Sequence, residues 1–352
     1  MVKTRRNTFM ILLLLSVLWL TAGCCSYIDD DLSDCPPEGQ EYELTYELRL
    51  VTNITTELST QLSTATDVNV ANALRDHLKN IFTDFAHDVD LSFYDTENAQ
   101  ERLSHDQHVM NASEQSYTLY LPMREYMHLA AANIQDNTVV ALSGDDKCPT
   151  AQLVTIPEGE ETIDSHTTGL FTARYPLKVL EGVSQTFHVR LYMANCAEAL
   201  VVDPRGHSYR DMKVFATGFA SKFHINDSTY TFPEKYPYVR ATKVNTGEDE
   251  KLCFCAVNFP TTDEEGMRTV VEVPFDENES ETVFWQFYVY VTNDDGSVTE
   301  SVLSVRSPNK AGQLRIIGGY MGDDGAIHPK DQTVGVSVTL NWNEGGQHDI
   351  DL

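Results

Sequence analysis

The chain has 352 residues, 53 of them acidic and 25 basic, for a formal charge of -28. So negative a surface repels phosphate and excludes general nucleic-acid binding. Hydrophobic residues make up 41%, which excludes an acidic disordered tail, and the length suffices for two ordinary domains.

The first 23 residues read as a secretory signal peptide. Lys3, Arg5 and Arg6 precede the apolar run FMILLLLSVLWL, Phe9 to Leu20. At about 1.5 Å rise per residue that run falls short of a ~30 Å hydrocarbon core. The small residues Thr21, Ala22 and Gly23 follow at once, as at a cleavage site. An exported chain is free to form disulfides.

Small residues before a cysteine resemble a bacterial lipobox, in which the cysteine sulfur receives a diacylglycerol. The match favours Cys24 as lipid attachment, because Cys25 would place a thiol at the cleavage position. The other reading is a plain signal peptide with both cysteines in disulfides. Cys25, Cys35, Cys148, Cys196, Cys253 and Cys255 allow many pairings, and nothing in the sequence chooses among them. Cys253 and Cys255, two apart on a strand-like run, share a face and do not bond each other. A zinc site is disfavoured, because no CxxC pair occurs.

Residues 24–40 are acidic, contain Pro36 and Pro37, and read as a tether. Next, EYELTYELRL (41–50) alternates strictly, with Tyr42, Leu44, Tyr46, Leu48 and Leu50 in phase. That predicts a half-buried antiparallel strand. Val70, Leu74, Leu78, Ile81, Phe82 and Phe85 recur at helical spacing and predict one amphipathic helix, capped by Asp67 or Asn69. Strands are expected at VDLSFYD (89–95), SYTLYLP (116–122), MHLAAANI (127–134), TVVALSG (138–144) and GLFTARYPL (169–177). VLEGVSQ, within 178–185, interrupts the pattern and predicts a linker. Beyond it strands are expected at TFHVRLYMAN from Thr186, MKVFATGFASKFHI from Met212 and LCFCAVNF from Leu252. TVVEVPF from Thr269, VFWQFYVYVT ending at Thr292, SVLSVR after Ser297 and VGVSVTLNW from Val334 complete the set. Asn293-Asp294-Asp295-Gly296 is a hairpin signal. Many short strands with Gly, Pro and Asx turns predict a mainly β chain of two antiparallel β-sandwiches, with the helix in the first. The boundaries are 41–180 and 181–352.

No catalytic motif occurs: there is no HExxH, GxSxG, P-loop or GxGxxG, and no cofactor is implied. The chain is read as a non-enzyme. His105 and His108 are metal candidates if helical, and solvated residues if their polar segment is a loop. The Asp294-Asp295 and Asp323-Asp324 pairs precede glycine and lack full calcium-loop spacing, so turns account for them. The sequons at Asn53, Asn111, Asn226 and Asn278 are chance matches in a bacterial lipoprotein.

The cysteine of the lipobox followed by IDDDLSDCP resembles the mature start of the FimB-type fimbrial anchor subunits of Bacteroidales. VDLSFYD is similar to that family's Val-x-Val-x-Phe-Asp strand, and YTLYLPMREYMHLAAANI to its Leu-Pro…Ala-Asn segment. The likeness is strongest over 24–145. It implies two transthyretin-like β-sandwich domains held to the outer membrane by lipid, facing the cell surface. It implies a fimbrial base that anchors stalk subunits, its protein partners, by β-strand addition. In the family, stalk subunits are cut after Arg or Lys and lose lipid and first strand, whereas anchors keep both. Between Cys24 and Arg75 the sole basic residue here is Arg49, inside the first strand pattern. Asp29, Asp30 and Asp31 resemble a surface-export signal of the phylum, or simply keep the tether solvated. The alternatives are an accessory tip adhesin of the same system and a glycan-binding lipoprotein of a polysaccharide-uptake system.

Overall fold

The computed structural model describes residues 41–51, 68–82, 88–97, 102–109, 116–135, 137–143, 152–154, 161–181, 183–247, 251–263, 282–330 and 336–341. The fold is mainly β, with one helix among the described residues. A first sheet of seven strands has the order β3 (Arg102–Val109), β2 (Asp88–Asp95), β5 (Glu125–Ala132), β9 (Phe171–Lys178), β10 (Gln185–Met193), β1 (Glu41–Val51) and β4 (Ser116–Pro122). The alternating EYELTYELRL run forms β1, and Leu44 is fully buried. Its pairing with β10 is parallel, not antiparallel as expected, from Leu44 opposite Gln185 to Val51 opposite Tyr192. Parallel neighbours need a long crossover, and the helix and strands β2 to β9 all lie between them in the chain.

Helix α1 (Val68–Ile81) buries Val70, Ala71, Leu74, Leu78 and Ile81 on one stripe, with Phe82 just beyond, and leaves Asn72, Arg75 and Asp76 exposed. Lys79 in the last turn complements the helix dipole. Asn69 lies inside the helix and so is not its cap. Asp67 and Phe85 lie outside the described residues.

The central sheet has the order β16 (Thr242–Val244), β17 (Leu252–Asn258), β11 (Cys196–Asp203), β20 (Leu314–Met321) and β21 (Ile327–Pro329). Both of its faces are covered. Ala197, Ala199 and Val201 of β11, with Cys253 and Cys255 of β17, join one core with α1 and the first sheet. Cys196, Leu200 and Val202, with Phe254 and Ala256, join a second core. That core is closed by a third sheet of order β22 (Val336–Asn341), β19 (Val298–Val305), β18 (Trp285–Thr292), β12 (Asp211–Thr217), β15 (Tyr238–Arg240) and β8 (Thr162–Asp164). Trp285, Phe287 and Leu303 are fully or nearly fully buried there. Each such side chain contributes about 1.5–3 kcal/mol by leaving water. A small fourth sheet of order β14 (Thr229–Thr231), β13 (Lys222–His224), β7 (Gln152–Val154) and β6 (Ala141–Ser143) packs Phe223 and Tyr230 with Tyr94, Leu129 and Ala131 of the first sheet.

Several elements differ from expectation for local reasons. MKVFATGFASKFHI is two strands, β12 and β13, broken at Gly218. That residue has φ +107°, and a Cβ there would stand 2.6 Å from the Phe284 carbonyl oxygen. TVVALSG supplies only β6, because the Asn137 side chain accepts the N–H groups of Val139 and Val140 at 3.0 and 2.9 Å and turns the chain. The expected linker is the connection between β9 and β10, neighbours in one sheet; the Leu180 N–H donates to Gln185 Oε1 at 2.7 Å. His105 and His108 lie on β3, opposite Ser92 and Val89, and not on a helix or loop. The TVVEVPF segment and Trp342 lie outside the described residues.

Candidate functional site

Cys24, Cys25, Asp29, Asp30, Asp31, Cys35 and Cys148 lie outside the described residues, as do Asn53, Asn111 and Asn278. Asn226 falls in the half-buried turn between β13 and β14. Cys196, Cys253 and Cys255 are buried free thiols. Cys253 and Cys255 share the first core, on one face, as their spacing predicts. Burial, reinforced by the Glu198 carboxyl, pushes the Cys196 thiol well up, and burial alone raises Cys253 to about 12. Neither supplies a thiolate at neutral pH. Among the described residues no group of three or more His, Cys, Asp or Glu is placed to hold a metal. No helix among them is long and apolar enough to cross a membrane.

The most structured polar surface gathers three turns of the second half. The turn after β11 carries Arg205 at φ +51° and Gly206 at φ +77°, closed by the His207 N–H on the Pro204 carbonyl at 2.9 Å. The β18–β19 turn is the Asn-Asp-Asp-Gly hairpin read from the sequence. Gly296 has φ +87°, and the Asn293 N–H donates to the Ser297 carbonyl at 2.9 Å. The β20–β21 turn holds Asp323 and Asp324, with Gly325 at φ +75°. Side chains tie the turns together. Ser208 Oγ donates to Asp294 Oδ2 at 2.5 Å, Arg210 Nη2 to the Asp294 carbonyl at 2.7 Å, and His207 Nε2 stands 3.5 Å from Asp323 Oδ1.

Between the first and third of these turns lies a cleft of about 420 Å³, lined by Arg205, His207, Tyr320, Asp323, Asp324 and His328 among others. The Tyr320 ring has two close neighbours. The Arg205 guanidinium lies 3.5 Å from its centroid, and the His328 ring stacks 5.5 Å away at 24°. His328 Nε2 is 3.2 Å from both Asp324 oxygens. Burial pushes the Asp324 carboxyl up, but the Ala326 N–H and His328 outweigh it and hold it below the usual carboxylate range. The cleft thus presents a guanidinium stacked on Tyr320 and two imidazoles, each facing a carboxylate. It offers hydrogen bonds to a polar ligand. Asp323 and Asp324 were visible in the sequence as turn residues; Arg205, His207, Tyr320 and His328 were not, because three separate segments meet here.

Two buried polar clusters lie elsewhere among the described residues. Asn195 Nδ2 donates to His166 Nδ1 at 2.6 Å, so the ring is a neutral acceptor, and burial lowers its pKa to about 3. The adjacent Ser165 Oγ accepts the Val257 N–H at 2.8 Å. Serine and histidine here are both buried and bond the scaffold. Glu198, in the middle of β11, accepts from Asn258 Nδ2 and, at 3.3 Å, from Asn309 Nδ2. Burial raises its pKa well above the ordinary value, against these two bonds.

No protein-family model matches the sequence, and no curated protein matches it. Solved structures do resemble the fold. A candidate adhesin from Bacteroides thetaiotaomicron is 9% identical, with 88% of this chain and all of that one covered and a TM-score of 0.50. A candidate adhesin from Bacteroides ovatus is 11% identical, with 87% and 97% covered and a TM-score of 0.49. The fimbrial anchor protein Mfa2 of Porphyromonas gingivalis is 11% identical, with 85% and 98% covered and a TM-score of 0.45. At these identities the first likeness establishes shared architecture alone: this chain has the fold of a Bacteroides candidate adhesin over most of its length.

Proposed function

We propose that the chain is a surface lipoprotein at the base of a fimbria, holding stalk subunits by β-strand addition. The role is structural, without catalysis. Cys24 carries the lipid, and Asp29, Asp30 and Asp31 direct export to the outer face of the outer membrane. On this reading the chain comprises sandwich domains 41–180 and 181–352, with β10 of the second completing the sheet of the first.

The observation that carries the anchor reading is the position of Arg49. It is the one basic residue between Cys24 and Arg75, and it sits in β1, opposite Arg190 of β10. β1 is an inner strand, flanked by β10 and β4. A protease that releases stalk subunits needs a basic residue in an accessible, extended stretch of free backbone. Arg49 is instead locked in a ladder, so lipid and first strand stay attached. The lipobox and the mature start add the family resemblance.

Two experiments test this. Palmitate labelling should be lost in Cys24→Ala and kept in Cys25→Ala; the reverse pattern would reassign the lipid. Deletion of the gene should release fimbriae from the cells or lengthen them, and normal cell-bound fimbriae would count against the anchor.

A second reading, an accessory tip adhesin, has the three-turn cleft in its favour. Immunogold labelling along the fibre separates base from tip. A glycan platform is less supported at that cleft, because Arg205 and His328 already contact Tyr320.

A further inference from the structure

Nine large apolar side chains stand exposed among the described residues, and four of them gather at one end of the first sheet. Tyr120 lies near the end of β4 and Met123 just after it, while Leu180 and Val183 lie in the connection between β9 and β10. The two segments meet. The Val179 N–H donates to the Arg124 carbonyl at 2.9 Å, one step beyond the Glu125–Lys178 pair of the β5–β9 ladder. One further step of the same register brings Met123 opposite Leu180.

The charges beside these side chains are matched locally. Arg124 Nη1 pairs with Asp95 Oδ2 at 2.6 Å, and Lys178 Nζ with Glu125 Oε1 at 2.5 Å. Glu181 adds one exposed carboxylate to the β9–β10 connection. In a chain of formal charge -28 this end is therefore close to neutral. Aliphatic side chains beside a tyrosine, an arginine and a lysine form a set that settles at a bilayer interface, apolar parts inward and polar tips outward.

The topology says what lies nearby. β1 runs parallel to β10, with Leu44 opposite Gln185, so it starts at the end where the β9–β10 connection closes. The chain enters the first sheet at this end. Residues 24–40 precede β1 and can reach at most about 60 Å. A lipid on Cys24 therefore tethers this end of the sheet to the bilayer.

We propose that this end of the first sheet rests on the lipid surface, with Met123, Leu180 and Val183 at the boundary of headgroups and acyl chains and Tyr120 among the headgroups. The proposal rests on the reading of Cys24 as lipid-bearing. It adds a second contact, made by the protein itself, that sets how the molecule stands on the membrane.

The test uses the full lipid-modified chain in vesicles of phosphatidylethanolamine and phosphatidylglycerol. Val183→Trp places an indole on the patch. Lipids brominated along the acyl chain should quench its added fluorescence about twofold, and should leave Val298→Trp, at an exposed position of β19, unquenched. Met123→Ser with Leu180→Ser, introduced beside Val183→Trp, should reduce the quenching to the Val298→Trp level while the protein still floats with the vesicles. Should Val183→Trp fail to fold, Tyr120→Trp gives the same readout. Flotation with equal quenching at the two positions overturns the proposal and leaves the lipid reading standing. A wild-type chain that does not float overturns both. Dimerisation in the absence of lipid, lost in Met123→Ser with Leu180→Ser, would assign the patch to a second copy and overturn the proposal as well.

Discussion

The three-turn cleft and the apolar end of the first sheet are both built where turns meet, yet their side chains are used in opposite ways. In the cleft, Arg205 lies on Tyr320, His328 meets Asp324 and His207 approaches Asp323. At the end of the first sheet, Tyr120, Met123, Leu180 and Val183 stand exposed. Side chains spent on one another hold turns in place. Side chains left open contribute little to the fold and are available to a partner. Substitutions should therefore damage stability in the cleft and bilayer contact at the end of the sheet.

The largest stability effect is expected from Tyr320→Ala, which removes the ring that both Arg205 and His328 contact. Urea unfolding should show a loss of about 2 kcal/mol, from the ring contacts and lost burial. A value near zero would mean that the stack is ornamental. Gly325→Ala should cost about 1 kcal/mol. The residue holds φ +75°, and a Cβ would stand 3.1 Å from Asn293 Oδ1.

A smaller effect is a pH dependence. The folded-state pKa of Asp324 is depressed, so its contribution is present above the ordinary carboxylate pKa and is lost as pH falls through the folded value. Asp324→Asn should flatten the acid limb of the stability curve by at most about 1 kcal/mol. Glu198 has the opposite sign. Its folded pKa is raised, so the wild type loses stability as pH rises from the ordinary carboxylate pKa towards the folded one, and Glu198→Gln should remove that slope. The smallest change belongs to the apolar end. Leu180→Ser with Val183→Ser should leave unfolding within about 0.5 kcal/mol of wild type. A larger loss would mean that these side chains serve the fold.

What the sequence revealed follows burial geometry. β1, β18 and the Asn-Asp-Asp-Gly hairpin were legible because alternation and turn chemistry are local signals. β11 and β20 escaped. Both faces of β11 are buried, so CAEALVVD shows no wet side, and LRIIGGYM carries two glycines. β3 escaped for the opposite reason, as its HDQH centre is polar at a sheet edge. The parallel partner of β1 was not legible at all, because period two fixes a strand's faces and not its neighbour. Both surfaces were invisible for a related reason. The cleft joins three distant turns, and the apolar end joins two, which meet where the Val179 N–H bonds the Arg124 carbonyl.

The central claim is that this chain keeps its lipid and its first strand. Mass spectrometry of the protein taken from fimbriated cells tests it directly. An N-terminus at a lipid-modified Cys24 and an uncut Arg49–Leu50 bond are expected, and a mature chain beginning at Leu50 would contradict the anchor role.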